Sequence, residues 1–288
     1  MERCVSVVMT VRNVENSIYD CMRSILDQTF DDFEIVIIDD LSTDRTRMII
    51  EKFQDKRIRY YCNTQWLGLS KSRNKGVQQA SGEYLFFTDG DCIASRNWIE
   101  EGLKYLKNPG YLGVEGRIFY VSKDYEPVFS DNVVETEHAG TFATANIAYK
   151  KNIIKMLQGF DERLTWFEDR DLALRVLKYG KIGFNSDMVV YHQRTIVTPE
   201  KLIKSAPFAK NRIFLFKKFA EKKFMFGRVL FPFNLAKIFF PPLILSSLFF
   251  KKFRTSDDYR LLPFMYIFVI YERLQLWKEC AKERVFFI

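Results

Sequence analysis

Four carboxylates follow directly on apolar runs early in the chain. Glu34-Ile35-Val36-Ile37-Ile38 leads into Asp39-Asp40, and Tyr84-Leu85-Phe86-Phe87-Thr88 leads into Asp89-Gly90-Asp91. A third run, from Val5, ends on Thr10-Val11-Arg12-Asn13. Two Asp separated by Gly suit a hard divalent cation, Mg²⁺ or Mn²⁺, which takes a few carboxylates together with phosphate oxygens. The same tripeptide also makes a plain tight turn, and both readings stand at this point. Other nucleotide chemistries lack their glycines. No G-x-G-x-x-G follows the first run and no G-x-x-x-x-G-K-[ST] occurs, which excludes dinucleotide-binding and P-loop sites. The five cysteines are scattered without C-x-x-C spacing, so neither a zinc site nor a disulfide framework is indicated.

The elements that must hold these residues alternate. Val5–Thr10, Glu34–Ile38, Ile58–Cys62 and Tyr84–Thr88 read as strands, apolar on both faces. Ile18, Cys21, Met22, Ile25 and Leu26 recur as one apolar helical face. Thr43–Phe53 is helical in character, and Ser70 is placed to cap a helix running to about Ala80. Irregular sequence fills much of 107–150. Patterning resumes at Gly159 and runs to a strand closing on His192. Strand–helix alternation predicts an α/β fold with a mainly parallel central sheet flanked by helices. In such sheets ligands bind at the carboxyl ends of strands, where the Asp residues stand.

The ordered blocks together resemble the family 2 glycosyltransferases of the GT-A (Rossmann-like) fold. They are Ser6–Asn13, Ser24–Phe30, Ile35–Asp44, Leu69–Gly76, Ser81–Asp91, Thr144–Lys150, and Gly159–Glu162 leading into Phe167-Glu168-Asp169-Arg170-Asp171-Leu172. The resemblance implies an inverting, metal-dependent transfer of one sugar from a nucleotide-sugar donor. It gives Thr10, Arg12 and Asp39 or Asp40 to the nucleoside, and Arg73 with Lys71 to the diphosphate. Asp89 would lie near the ribose, and Asp91 would bind the Mn²⁺ or Mg²⁺, with Asp89 and His192 as further candidate ligands. Asn146 would contact sugar or acceptor. Asp169 would be the general base, with Glu168 as its alternative; the helix N-terminus would favour the ionised form of Asp169. Read on its own, Glu168-Asp169 is also what an ordinary helix N-terminus carries.

Two departures matter. Arg12 stands where many relatives carry an aromatic that stacks on the base; a guanidinium can stack too, and uridine is the family's commonest base. The Q-x-x-R-W element of processive synthases is absent, which implies a single transfer.

The text changes after Glu200. Residues 201–288 hold 18 Lys/Arg against 6 Asp/Glu and 17 of the 28 Phe, whereas residues 1–200 carry a net −4. A 1–200 catalytic domain and a 201–288 helical C-terminal segment are expected. Val229–Phe250 contains a single charge, Lys237, but Pro232, Pro241 and Pro242 interrupt it. A clean span wants about 20 apolar residues, so an interfacial, membrane-associating segment is expected, with Lys251, Lys252 and Arg254 toward lipid headgroups. Free thiols and an N-terminus without a signal-peptide pattern point to the cytoplasmic face of the membrane. The expected partners are the donor, a lipid-linked or glycan acceptor, and the membrane surface. The rival for the tail is a soluble enzyme using it as a homo-oligomer interface. A nucleotidyltransferase would want the missing phosphate loop. A nucleic-acid-binding module is poorly served by an acidic core, and no nucleic acid is expected.

Overall fold

The computed structural model describes residues 4–122, 128, 131–219 and 256–283. The chain divides into two compact units, Met1–Asp124 with Val134–Gln193, and Tyr125–Val133 with Arg194–Ile288.

The first unit holds eight strands: β1 (Val5–Val11), β2 (Phe33–Asp39), β3 (Ile58–Cys62), β4 (Tyr84–Asp89), β5 (Cys92–Ala94), β6 (Tyr111–Tyr120), β7 (Ile147–Lys150) and β8 (Lys181–His192). They form one mixed sheet in the order β3-β2-β1-β4-β7-β6-β8-β5. β1 pairs in parallel with β2 and β4, and β2 with β3. The direction reverses at β7, which runs antiparallel to β4 and β6. Six helices flank the sheet: α1 (Ile18–Leu26), α2 (Thr46–Ile50), α3 (Leu69–Gln79), α4 (Trp98–Leu106), α5 (Lys151–Met156) and α6 (Glu168–Val176).

Strand alternation sorts the core into two layers. Val5, Val7, Met9 and Val11 pack with Ile18, Cys21, Met22 and Ile25 of α1 and Trp98, Ile99 and Leu103 of α4. Val8, Val36 and Ile38 point the other way, against Val77 of α3 and Leu172, Ala173 and Val176 of α6. Each large apolar side chain buried this way contributes about 1.5–3 kcal/mol. Gly76 lets α3 lie close on β1, since a Cβ there would come 2.4 Å from Val8 Cγ1.

Three local expectations change. The helix expected over Thr43–Phe53 shortens to Thr46–Ile50, because the residues ahead of it are bound elsewhere. Asn13 N donates to Ser42 Oγ (3.0 Å), and Thr43 N donates to Asn13 Oδ1 (2.8 Å). Ser70 is not a cap: it lies inside α3, its hydroxyl donates to Leu164 O (2.7 Å), and Gly68 with φ 83° precedes the helix. The 107–150 stretch is less irregular than its text, holding β6 and β7. β6 contains Gly113 and Gly116, which allow close packing against the Tyr149 ring and the Asn146 amide.

The second unit is helical where described: α7 (Pro199–Ser205), a 3₁₀ turn (Ala206–Ala209), α8 (Lys210–Phe219) and α9 (Ser256–Lys282). Thr198 caps α7, accepting from Lys201 N at 3.2 Å. Asp131 joins this unit through Arg194 Nε, which donates to its Oδ1 at 2.8 Å, and Asn132 N donates to Thr195 O at 2.9 Å. Val229–Phe250, with the prolines, Lys251, Lys252 and Arg254, lies outside the described residues. Among the described residues no helix is long and apolar enough to cross a membrane.

Candidate active site

The parallel registers bring the strand ends to one rim. Thr10 lies beside Asp89 in the β1–β4 pairing, and Val11 beside Asp39 in β1–β2. The carboxylates gathered there are compensated individually. Asp39 accepts from Ser42 N (2.7 Å) and from the Tyr60 hydroxyl (2.7 Å). Asp40 accepts from Asn63 Nδ2 (2.9 Å) and Leu67 N (2.8 Å) at one oxygen and from Gly68 N (2.8 Å) at the other. Asp40 is buried, and its role in the fold is to latch the β3–α3 loop to the end of β2. The Thr10 hydroxyl is buried and has no hydrogen-bond partner among the described residues.

The Asp89-Gly90-Asp91 turn is pressed between β1 and α1. Ser17 Oγ donates to Gly90 O (3.0 Å), and a Cβ on Gly90 would come 2.9 Å from Val11 Cγ1. The two aspartates then face different neighbours. Asp89 Oδ1 lies 3.6 Å from Arg73 Nη2. Asp91 Oδ1 lies 3.6 Å from His192 Nε2, which the antiparallel β5–β8 pairing sets opposite Cys92.

Asp91, Cys92 and His192 each bring a donor atom within 4.8 Å of the others. The residues fit a divalent cation. His192 Nδ1 is 2.9 Å from Gln193 O, a carbonyl that can only accept, so the ring proton sits there in the neutral form. The Nε2 lone pair is thereby turned toward the Asp91 carboxylate, the arrangement of a metal-ligating histidine oriented by a backbone carbonyl. Cys92 was not legible as a neighbour of this pair; lacking C-x-x-C spacing, its only signal was its position directly after Asp91. Burial, and then the charges of Asp89 and Asp91, push its thiol well above its ordinary range, so it lines the site as a neutral group.

Arg73 is buried on α3 and joins three elements. It forms an ion pair with Glu168 at the start of α6, reaches Asp89 on β4, and lies over the Phe160 ring at 5.8 Å. Lys71, on the opposite side of the same helix, is exposed. Asp169 follows Glu168, half-buried, and accepts from Arg170 N at 2.7 Å. Desolvation, then the Glu168 charge, pushes its carboxyl up to about 7, although Arg73 pulls the other way. The helix N-terminus was expected to favour its ionised form; burial beside a second acid outweighs that dipole.

Asn146 is used internally. Its Oδ1 accepts from Trp98 Nε1 (2.8 Å), and its Nδ2 donates to Arg117 O and Met188 O (2.8 Å each). Both amide hydrogens are thus taken, and none is left for a sugar. Arg12, by contrast, is exposed, with its guanidinium 5.5 Å from the ring centroid of Trp66. Trp66 is an aromatic neighbour that the sequence blocks did not single out.

Residues 6–160 match the profile of glycosyl transferase family 2, and the chain belongs to that family. An uncharacterized glycosyltransferase of Haemophilus influenzae is 38% identical over 120 residues, 40% of this chain and 37% of the relative. The Escherichia coli UDP-Glc:alpha-D-GlcNAc-diphosphoundecaprenol beta-1,3-glucosyltransferase WfgD is 30% identical over 148 residues, 51% of this chain and 54% of the relative. The chain therefore spans only about a third to a half of those curated relatives. Among solved structures, the mannosyltransferase PcManGT from Pyrobaculum calidifontis, in complex with GDP-Man and Mn²⁺, superimposes with a TM-score of 0.62. It is 16% identical, covering 96% of this chain and 88% of that one. This likeness identifies the GT-A fold.

Proposed function

We propose that the chain transfers one sugar, with inversion, from a UDP-sugar to a lipid-linked or membrane-proximal acceptor. The observation that carries the reading is Arg73, which ties the Asp89-Gly90-Asp91 turn to the acidic start of α6. The strand end that carries Asp91 and the helix start that carries Asp169 thereby meet on one rim. WfgD, by its name, uses UDP-Glc and a diphosphoundecaprenol acceptor, which supports both the donor and the acceptor class.

In this reading Thr10 and Asp39 receive the nucleoside, and Asp91 with His192 holds Mn²⁺ or Mg²⁺. A bound cation would neutralise charge developing on the leaving diphosphate. Asp169, as the carboxylate, takes the proton of the acceptor hydroxyl. The acceptor oxygen bonds to the anomeric carbon as the bond to the diphosphate breaks, and the nucleoside diphosphate leaves on the opposite face. A base poised near neutral pH combines the right protonation state with useful basicity. Glu168, paired with Arg73, positions the site. The basic excess of residues 201–288 and the exposed Phe264, Ile267, Leu274 and Trp277 of α9 support a site of action at the cytoplasmic membrane face.

The test is a panel of UDP- and GDP-sugars, scored for cation-dependent thermal stabilisation and for transfer to polyprenyl-diphosphate-linked sugars. Stabilisation by a UDP-sugar and transfer from it is the expected result. Absence of both across the panel rejects the reading.

A further inference from the structure

Trp66 is the most exposed of the four tryptophans, at 61%. Its loop is nonetheless immobilised, because the next two backbone amides, Leu67 N and Gly68 N, both donate to Asp40. Asp40 N in turn donates to Val11 O at 2.9 Å, one residue before Arg12. Asp40 therefore holds together the two loops that present Arg12 and Trp66, and the guanidinium lies 5.5 Å from the indole centroid. A third loop is latched alongside through Asn13, Ser42 and Thr43. The outcome is a large planar aromatic side chain, tied down by its backbone, with Arg12 over the ring and most of its surface open to solvent, at the same strand ends as Thr10 and Asp39.

We propose that Trp66 is the surface on which the donor's nucleobase stacks, on the indole face that Arg12, lying over the ring at 5.5 Å, leaves open. The proposal rests on the reading that these strand ends receive a nucleoside diphosphate. It gives the stacking role to the β3–α3 loop rather than to the end of β1, where this chain has Arg12. It also makes Asp40 a positioning residue, since its oxygens are spent on the loop that carries Trp66. An indole face attracts any base ring, whereas the guanidinium donors favour bases that present carbonyl oxygens.

The experiment titrates the full chain, with Mg²⁺ present, using UDP, GDP and inorganic pyrophosphate. Affinity is read by calorimetry and tryptophan emission is followed in parallel. UDP should quench the wild type, and the quench should vanish in Trp66→Phe while affinity is retained. Trp66→Ala should weaken UDP by roughly 5- to 150-fold, the range of a lost base–aromatic stack, and leave pyrophosphate affinity unchanged. Unchanged UDP affinity in Trp66→Ala, or a quench that survives in Trp66→Phe, overturns the stack and leaves the donor reading standing. Equal weakening of UDP and pyrophosphate overturns it in favour of a structural role. If the wild type binds neither UDP nor GDP, the donor reading itself fails.

Discussion

Arg73 and Glu168 form a buried ion pair across 95 positions of sequence, joining α3 to the first residue of α6. The pair sets Glu168 beside Asp89, which Arg73 also reaches at 3.6 Å. Removing one partner of a buried pair leaves an uncompensated charge, which costs about 3–5 kcal/mol. Arg73→Met should therefore lower the unfolding free energy by about that amount, as measured in urea. Lys71→Met, at an exposed position on the same helix, should change it by no more than about 0.5 kcal/mol. Equal effects at the two positions would remove Arg73 from the centre of the site.

Asp169 should impose a pH profile. Its carboxyl is pushed up to about 7, chiefly by desolvation, and a general base acts only when deprotonated. Turnover should climb as pH rises toward 7 and level off above it. Asp169→Asn should lower turnover by roughly 10²–10⁴ with donor affinity retained. The stability effect has the opposite sign. A carboxyl whose folded pKa is raised destabilises the fold increasingly as pH rises from its unfolded value, and fully above 7. Asp169→Asn should thus melt a few degrees higher than wild type at pH 8, a difference that shrinks toward pH 4. A variant equally inactive but less stable at pH 8 would make Asp169 structural.

How much of this was legible follows from which interactions are local. The strands, the rim and Asp91 were readable because continuous apolar runs ending in Asp are adjacent in sequence. Asp91 and His192 were joined at a metal by the resemblance alone, and the β5–β8 register supplies the geometric reason. The engagement of Glu168 by Arg73 joins residues 95 positions apart and had no local signal. Trp66 could not be read at all, since its meaning depends on Arg12 arriving from another loop. The Asn146 amide looked available because sequence does not show that Trp98, Arg117 and Met188 converge on it.

That convergence makes Asn146 testable as a structural residue. Asn146→Ala would leave the Trp98 indole N–H and two backbone carbonyls unpaired in the core. Each such group costs about 1–3 kcal/mol. The variant should be destabilised by roughly 3 kcal/mol or more, while any folded fraction binds UDP with wild-type affinity. A stable variant with weakened sugar-nucleotide binding would return Asn146 to the sugar.

Cation dependence should localise to Asp91 and His192. Asp91→Ala and His192→Ala should each abolish the increase in UDP affinity produced by Mn²⁺, read by calorimetry. Asp89→Asn should behave differently, because Asp89 faces Arg73 at 3.6 Å. It should lose stability and retain Mn²⁺-dependent binding. Full cation dependence in Asp91→Ala would reject the site.

The second unit carries the last prediction. On α9, Tyr259, Phe264, Ile267, Leu274 and Trp277 are exposed, and their spacing places them along one side of the helix. Arg260, Lys278 and Lys282 are exposed beside them, and the unit's basic excess adds a long-range attraction to anionic headgroups. An apolar side chain fully buried at the interface contributes about 1.5–3 kcal/mol, and each nearby basic residue about 1 kcal/mol. A few of each suffice for reversible binding. The full chain should co-sediment with vesicles containing anionic phosphatidylglycerol, less with zwitterionic vesicles, and less at high salt. Phe264→Ser, Ile267→Ser and Leu274→Ser combined should weaken binding at every salt concentration, because the apolar contribution is not screened. Binding that is absent from the wild type, or indifferent to these substitutions, would detach α9 from the membrane. A concentration-dependent dimer lost in the same triple variant would assign the row to self-association instead.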